Sequence, residues 1–125
     1  MKRKIVIFGA GRGGCLAYDF YKHSTEVVAF SDNDPSKHGQ SISNIPILSP
    51  KDLEKEPVDA IKIASQYKYE IFEQLRDDGL PVEKLELVDD VIIEGGMKFP
   101  WTGFLTTISV PVFACLITYI LLDLA

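Results

Sequence analysis

A cluster of glycines between an apolar run and an amphipathic pattern constrains the fold of this chain more than any other feature of its sequence. The stretch IVIFGAGRGGCLAYDF runs from Ile5 to Phe20, and Gly9, Gly11 and Gly14 within it have the spacing G-x-G-x-x-G. The β-branched, apolar residues before the glycines predict a buried strand, and the pattern after them predicts an amphipathic helix. The glycines therefore predict a tight turn that joins the strand directly to the helix.

Strand and helix patterns continue to alternate along the chain as far as residue 88. Ser49 and Pro50 have the residue types of a helix start, and Gly79 is placed to end a helix over residues 69–79. Strict alternation of this kind predicts an α/β fold, a parallel sheet with helices on both faces. The predicted strands cover residues 4–8, 26–32, 45–48, 58–64 and 85–88.

The surroundings of the glycine loop match those of a phosphate-binding turn. The loop follows a strand and opens a helix, and Asp32 ends the next strand at about the 20-residue spacing of the dinucleotide fingerprint. Gly9 is expected to allow the turn, Gly11 to let a pyrophosphate approach the backbone, and Gly14 to bring helix and sheet together. The alternative is a glycine turn in an α/β domain that binds no nucleotide.

Asp32 also bears on which nucleotide would bind. A carboxylate at the end of the second strand accepts hydrogen bonds from ribose hydroxyls and repels a 2′-phosphate. At the helix N-terminus, free backbone N–H groups and the helix dipole favour the negative charge of the phosphates. The pattern therefore favours NAD over NADP.

Four segments of the chain together resemble a known group of domains. They are KIVIFGAGRGG, VVAFSDNDPSKHG, the NIPIL–SP turn and DAIKIASQYKYEIFEQLRDDG, in that order. They resemble the small Rossmann-like domains at the front of nucleotide-sugar dehydratases and epimerases, and of UDP-sugar acyltransferases, of bacterial polysaccharide synthesis. The resemblance covers about residues 2–88.

The resemblance implies a Rossmann-like domain that binds NAD or a UDP-sugar at the carboxyl edge of its sheet. It also implies a role in surface-polysaccharide or nucleotide-sugar metabolism. The residues that match the phosphate-binding loop, the end of the second strand and the loop after the fourth predicted strand are Gly9, Gly11, Arg12, Gly13, Gly14, Asp32, Asn33, Ala64 and Ser65.

The sequence predicts no catalytic residue and no metal site. It contains no Ser-His-Asp set, paired-acid motif, Walker lysine or metal-ligand spacing. Tyr18 and Lys22 fit Y-x-x-x-K, but they lie in the helix that directly follows the glycine loop, and in short-chain dehydrogenases this pair lies far downstream. The leading interpretation is a binding domain that lacks complete catalytic machinery and acts with a catalytic partner protein.

Two alternatives to the binding domain stay open at this point. The first is an NAD-dependent nucleotide-sugar oxidoreductase or epimerase, whole or as a fragment, with an active site completed by oligomerisation. The second is a nucleotide-free α/β scaffold. The formal net charge is −5, and the basic side chains are scattered. Because nucleic-acid binders carry a clustered basic surface, the composition predicts no nucleic-acid partner.

The last quarter of the chain differs from the rest in composition. Residues 99–122 carry no charge, Lys98 precedes them and Asp123 follows. A bilayer is spanned by about 20 apolar residues as a helix. We therefore expect two parts, a nucleotide-binding domain at 1–98 and an apolar membrane-anchor helix at 99–125, with the domain at the cytoplasmic face. The alternative is a hairpin or helix buried against the sheet.

Overall fold

The computed structural model describes residues 2–94, and all structural statements below concern that range. Within it the chain folds as six strands and three α-helices around one sheet. In chain order they are β1 Arg3–Phe8, α1 Arg12–Tyr21, β2 Thr25–Ser31, β3 Ser41–Ile42, β4 Ile45–Leu48, β5 Ala60–Ile63, α2 Lys68–Asp77, β6 Leu85–Leu87 and α3 Asp90–Ile93.

The sheet has the order β3-β4-β2-β1-β5-β6 and a Rossmann-like arrangement. The neighbours β4, β2, β1, β5 and β6 pair in parallel, with Val6 of β1 opposite Ala29 of β2 and Ile61 of β5. From β1 the chain moves outward to β2 and β4, and then crosses to β5 on the other side of β1. The direction in which strands are added to the sheet therefore reverses between β1 and β5. Open α/β sheets bind their ligands at such a point, beyond the carboxyl ends of the strands.

The prediction of an entirely parallel sheet is wrong at one edge. The short strand β3 pairs antiparallel with β4, so the sheet is mixed. Ser43 and Asn44 join the two strands with φ angles of 51° and 65°. A two-residue connection with both φ values positive has the geometry of a type I′ hairpin turn, which matches the twist of the flanking strands.

Alternate residues of β1 enter two separate hydrophobic cores, as the prediction of a doubly buried strand requires. Val6 and Phe8 pack on the side of α2, together with Leu75, and Ile5 and Ile7 pack on the side of α1. The predicted placement of helices on both faces of the sheet is therefore confirmed. The two cores hold β1 rigidly, which fixes the point where the glycine loop leaves the sheet.

The predicted helix at Ser49 is instead a 3₁₀ segment, Pro50–Lys55. Ser49 does not cap it, because its hydroxyl donates to the carboxylate of Asp52 at 3.0 Å. The predicted end of α2 is confirmed: Gly79 has φ +96°, its N–H donates to Arg76 O, and the N–H of Leu80 donates to Leu75 O. These two bonds form the Schellman arrangement.

Glu86 of β6 joins two cations at the edge of the sheet. It accepts from Arg3 at 2.8 Å and from the ammonium of Lys62, which also lies 4.8 Å from the ring centroid of Tyr21. The hydrogen bond from Arg3, followed by the interaction with Lys62, lowers the pKa of Glu86, although partial burial opposes the shift. A carboxylate with a lowered pKa stabilises the folded state only while it is ionised.

We therefore expect Glu86→Gln to reduce the acid sensitivity of the protein. The wild type should lose the Glu86 contribution as the pH falls below about 4.3, the unfolded-state value, and through the lower folded-state pKa. Because the pair is partly exposed, the loss should be at most about 1 kcal/mol. Urea unfolding of both proteins between pH 7 and pH 3 measures it, and a constant difference across that range would contradict the assignment.

No helix within residues 2–94 is long and apolar enough to cross a membrane. The predicted apolar helix at 99–125 lies outside the described residues.

Candidate functional site

A crevice lies at the carboxyl edge of the sheet, where β1, β2 and β5 end. Its larger cavity has a volume of about 580 Å³. An adjoining cavity of about 320 Å³ shares Gly9, Asp32, Ser65 and Tyr67 with it. Ligand pockets in proteins commonly have volumes of about 300–1,000 Å³, so the crevice has the size of a small-molecule site.

The glycine turn forms the floor of the crevice, and two of its glycines are required by the fold itself. Gly9 has φ +119°, and a Cβ there would lie 2.5 Å from Ala64 O. A Cβ on Gly14 would lie 1.6 Å from Gly9 O. Gly14 therefore brings α1 against the turn and does not line the cavity, whereas Gly9 does.

Gly11 differs from both, because the fold does not require its missing side chain. The nearest atom to a Cβ placed on Gly11 would be Lys37 Nζ, at 3.9 Å. The backbone of Gly11 is extended, at φ −101° and ψ −155°, which any residue adopts. The space above Gly11 is therefore open to the crevice, and it is the place where a bound group can approach the backbone.

Within residues 2–94, no side chain caps the N-terminus of α1. Gly11 is its N-cap, and its first turn contains no acidic residue. The first N–H groups of a helix have no intrahelical acceptor, and together with the dipole they favour an anion. A phosphate placed above Gly11 would meet these groups.

Asp32 is fixed at the end of β2 by two backbone hydrogen bonds. Its Oδ2 accepts from Ala10 N and its Oδ1 from Asp34 N, each at 2.8 Å. The side chain is 18% exposed and lines both cavities. Because each carboxylate oxygen has two acceptor positions, Asp32 keeps capacity for hydroxyl donors from a ligand.

Asn33 lies apart from the larger cavity and lines the smaller one. Its side-chain amide exchanges two hydrogen bonds with that of Gln74 on α2, at 2.9 and 2.8 Å. Ala64 and Ser65 follow β5 and line the larger cavity opposite the glycine turn, and Ser65 Oγ accepts from Tyr67 N at 3.1 Å. Of the nine predicted residues, the structure brings seven to the larger cavity, Asn33 to the smaller one and Gly14 behind the turn.

Several residues of the crevice are not among the nine predicted site residues. Lys37 comes from the turn after β2, Gln66 and Tyr67 precede α2, and a third group comes from the end of the described chain. That group comprises Asp90, Ile93 and Glu94. Gln66 and Tyr67 directly follow the predicted Ser65, and this position along the chain is the signal that could have found them.

Tyr18 and Lys22 are not in the crevice. They line a cleft at the amino edge of the sheet together with Thr25 and Glu26. The ammonium of Lys22 lies 5.5 Å from the ring centroid of Tyr18. This pair therefore lies at the opposite edge of the sheet from the glycine turn.

A buried lysine anchors α3, the helix that lines one part of the crevice. Lys68 is 7% exposed, and its ammonium donates to Val88 O and to an oxygen of Asp90, both at 2.9 Å. Val88 is fully buried, so water cannot readily replace the ammonium as the hydrogen-bond donor to its carbonyl. Lys68 thereby ties the N-terminus of α2 to the segment between β6 and α3.

We expect Lys68→Met to lower the free energy of unfolding by about 2 kcal/mol, because it leaves the carbonyl of Val88 without its donor. The methionine keeps most of the buried stem, so the effect reports the lost hydrogen bonds. Urea unfolding measures it, with the exposed Lys51→Met as the matched control. A loss no larger than that of the control would contradict this role.

Comparison with known proteins places the chain in a family. Residues 1–86 match the family described as C2185-like, N-terminal. The chain belongs to this family. The match covers the whole strand-and-helix alternation up to β6, including the glycine turn, Asp32 and the loop after β5.

Relatives of known function share the fold. The redox-sensing transcriptional repressor Rex of Bacteroides thetaiotaomicron is 31% identical over 111 residues, which cover 86% of this chain and 46% of the repressor. The chain thus spans about half the length of this curated relative. UDP-D-quinovosamine 4-dehydrogenase from Vibrio fischeri superposes with a TM-score of 0.58 at 26% identity, over 76% of this chain and 86% of that one.

A third relative corrects one prediction. RSP, a Rex-family repressor, in complex with β-NAD⁺ and operator DNA, superposes with a TM-score of 0.50 at 16% identity, over 98% of this chain and 62% of that one. At this identity the likeness shows the fold alone. Together with the Rex relative, however, it overturns the prediction that nucleic acid is excluded as a partner. That prediction relied on net charge, which does not exclude nucleic-acid contacts made by other regions of a larger protein.

Proposed function

We propose that residues 2–94 form a nucleotide-binding module whose crevice takes NAD(H), with the pyrophosphate above Gly11. The observation that carries the proposal is the open space over Gly11, beside an uncapped helix N-terminus and a fixed Asp32. The nine residues Gly9, Gly11, Arg12, Gly13, Gly14, Asp32, Asn33, Ala64 and Ser65 are proposed to form the site, with Gly14 shaping the turn.

The proposed chemistry of each part follows from its donors and acceptors. Backbone N–H groups at the start of α1 donate to the phosphates, and Asp32 accepts from ribose hydroxyls. A carboxylate as enclosed as that of Asp32 disfavours a 2′-phosphate beside it, so we expect NAD to be preferred over NADP. The relatives support a nicotinamide nucleotide, since RSP is known in complexes with β-NADH and β-NAD⁺.

A second candidate is a nucleotide-sugar function in surface-polysaccharide metabolism. It is favoured by the likeness to UDP-D-quinovosamine 4-dehydrogenase, of which this chain covers 86%. In that case the crevice belongs to an oxidoreductase or epimerase, and NAD(H) and a UDP-sugar are both ligands. Oxidation of a UDP-sugar with reduction of NAD⁺, followed by absorbance at 340 nm, separates such an enzyme from a module that only binds.

A thermal-shift panel tests the proposal. The full chain in mild detergent is heated with NAD⁺, NADH, NADP⁺, UDP and a UDP-sugar. A ligand at about 100 times its dissociation constant stabilises the folded state by about 2.7 kcal/mol, which gives a clear shift. Stabilisation by NAD⁺ or NADH but not by NADP⁺ is the expected result. Stabilisation by a UDP-sugar in addition to NAD⁺ or NADH supports the second candidate, and no shift with any ligand contradicts both.

We further propose the division into a nucleotide-binding domain at 1–98 and a membrane anchor at 99–125, with the domain at the inner face of the membrane. The support is the uncharged run over residues 99–122. Fractionation of cells that express the full chain is the test. Recovery in the membrane fraction and release only by detergent is expected, and recovery in the soluble fraction without detergent contradicts it.

A further inference from the structure

The turn after β2 places one ammonium group beside Asp32 in the larger cavity of the crevice. Lys37 closes the 3₁₀ turn Pro35–Lys37, and its Nζ lies 3.7 Å from Asp32 Oδ2. The same Nζ is the atom nearest to the open position above Gly11, at 3.9 Å from a Cβ placed there. Lys37 therefore stands between the carboxylate that would hold a ribose and the place proposed for the pyrophosphate.

The main chain beneath Lys37 is held by several hydrogen bonds. Asp34 Oδ1 accepts from Ser36 N at 3.0 Å and from Ser36 Oγ at 2.8 Å. The ring of His38 is hydrogen-bonded to Asp32 O at 2.6 Å, and Gly39 N donates to Ile47 O at 3.1 Å. The turn is thus fixed, and a change in the position of the ammonium requires only rotation of the Lys37 side chain.

The contact between Lys37 and Asp32 is a loose ion pair. At 3.7 Å it is longer than a hydrogen bond, and the lysine side chain is 35% exposed. Asp32 does not depend on it, because both of its oxygens already accept from backbone N–H groups. A more strongly charged acceptor nearby would therefore draw the ammonium away with little effect on the position of Asp32.

The charges around the crevice make Lys37 the cation best placed to move from Asp32 to a phosphate of the ligand. The larger cavity is lined by two basic side chains, Lys37 and Arg12, and Arg12 is exposed at the start of α1. Three acidic side chains, those of Asp32, Asp90 and Glu94, also line it. A ligand with two phosphate charges consequently needs a local cation near Gly11.

We propose that Lys37 exchanges its ion pair with Asp32 for one with the diphosphate of the bound ligand. This proposal rests on the function proposed above and names a residue that this function did not use. The exchange moves the ammonium away from Asp32 Oδ2, so that the ligand's hydroxyls can approach this oxygen when the phosphates bind. Lys37 thereby contributes to the affinity for any nucleotide diphosphate and does not discriminate between nucleobases.

Lys37→Met tests the proposal on the full chain in mild detergent, with NAD⁺ as the ligand. Lys55→Met is the matched control, because Lys55 is exposed and lines none of the cavities described here. Loss of a charged hydrogen bond to the ligand should weaken binding about tenfold or more in Lys37→Met and leave it unchanged in the control. The dissociation constant is measured by calorimetry at 50 and 300 mM NaCl.

Two further readouts separate a ligand contact from a structural effect. Binding to Lys37→Met should depend less on salt than binding to the wild type, and Lys37→Arg should recover part of the affinity. The thermal midpoint without ligand should stay unchanged, because an exposed ion pair contributes little to stability. Wild-type affinity and salt dependence in Lys37→Met would overturn the exchange and leave the proposed function standing. Failure of the wild type to bind NAD⁺ would overturn that proposed function as well.

Discussion

Gly14→Ala is expected to lower the free energy of unfolding by about 3 kcal/mol or more. The added Cβ would lie 1.6 Å from Gly9 O, so either the glycine turn or α1 must move. Neither can move freely, because β1 is buried in both cores and Gly9 N donates to Ser31 O at 2.7 Å. Overpacking against backbone atoms is at the costly end of core substitutions. Thermal and urea unfolding of the full chain measure the effect.

Gly11→Ala is the matched control for this substitution. It adds the same methyl group three residues earlier in the same turn, where the nearest atom is 3.9 Å away. Its effect on stability should stay within about 1 kcal/mol, the usual range for exchanges at an N-cap. If Gly14→Ala unfolded at the same urea concentration as Gly11→Ala, the close approach of α1 to the turn would be wrong.

Gly11→Val is expected to weaken NAD⁺ binding by about a hundredfold or more without unfolding the protein. The branched side chain would occupy the space proposed for the pyrophosphate, and the extended backbone of Gly11 accepts a β-branched residue. A hundredfold change corresponds to about 2.7 kcal/mol of binding free energy. Calorimetric titration of NAD⁺ measures it, beside a thermal melt that verifies folding.

The size of the side chain at position 11 provides a graded control. Affinity should fall from glycine to alanine to valine, whereas the thermal midpoint should change little across the series. Wild-type affinity in Gly11→Val would show that the ligand does not lie above Gly11. A parallel fall in stability and affinity would show that the substitution acts through the fold.

The central part of the fold could be predicted because its residues carry strong local signals. The run before Gly9 is β-branched and apolar, and the structure buries it on both faces as β1. The strand predicted at 45–48 matches β4 Ile45–Leu48, and Gly79 ends α2 with a positive φ. Each of these elements is specified by neighbouring residues, so no knowledge of tertiary contacts was needed.

The elements that were missed carry short or ambiguous signals. Strand β3 has two residues, too few for any periodicity, and its turn uses Ser43 and Asn44 in place of a glycine. Ser49 and Pro50 have the residue types of a helix start, yet only a 3₁₀ segment follows. The four residues of α3 were missed for the same reason as β3, because one helical turn shows no repeat.

Site residues that lie at the ends of strands could be predicted from the sequence. Residues that reach the crevice only through a long side chain could not. Asp32 and Ala64 come directly after strands, so strand order alone brings them to one edge. Lys37 lies in a polar loop, and only the folded 3₁₀ turn directs its ammonium toward Gly11. Tertiary geometry of this kind leaves no pattern in a single sequence.

The two backbone hydrogen bonds of Asp32 have a consequence for the energetics of association. Ala10 N and Asp34 N hold the carboxylate in place before any ligand arrives, and one of these donors belongs to the glycine turn itself. The groups proposed to recognise ribose and phosphate are thereby held in a fixed position relative to each other. An incoming nucleotide has little loop or side-chain entropy to remove, so more of its contact energy is retained as affinity.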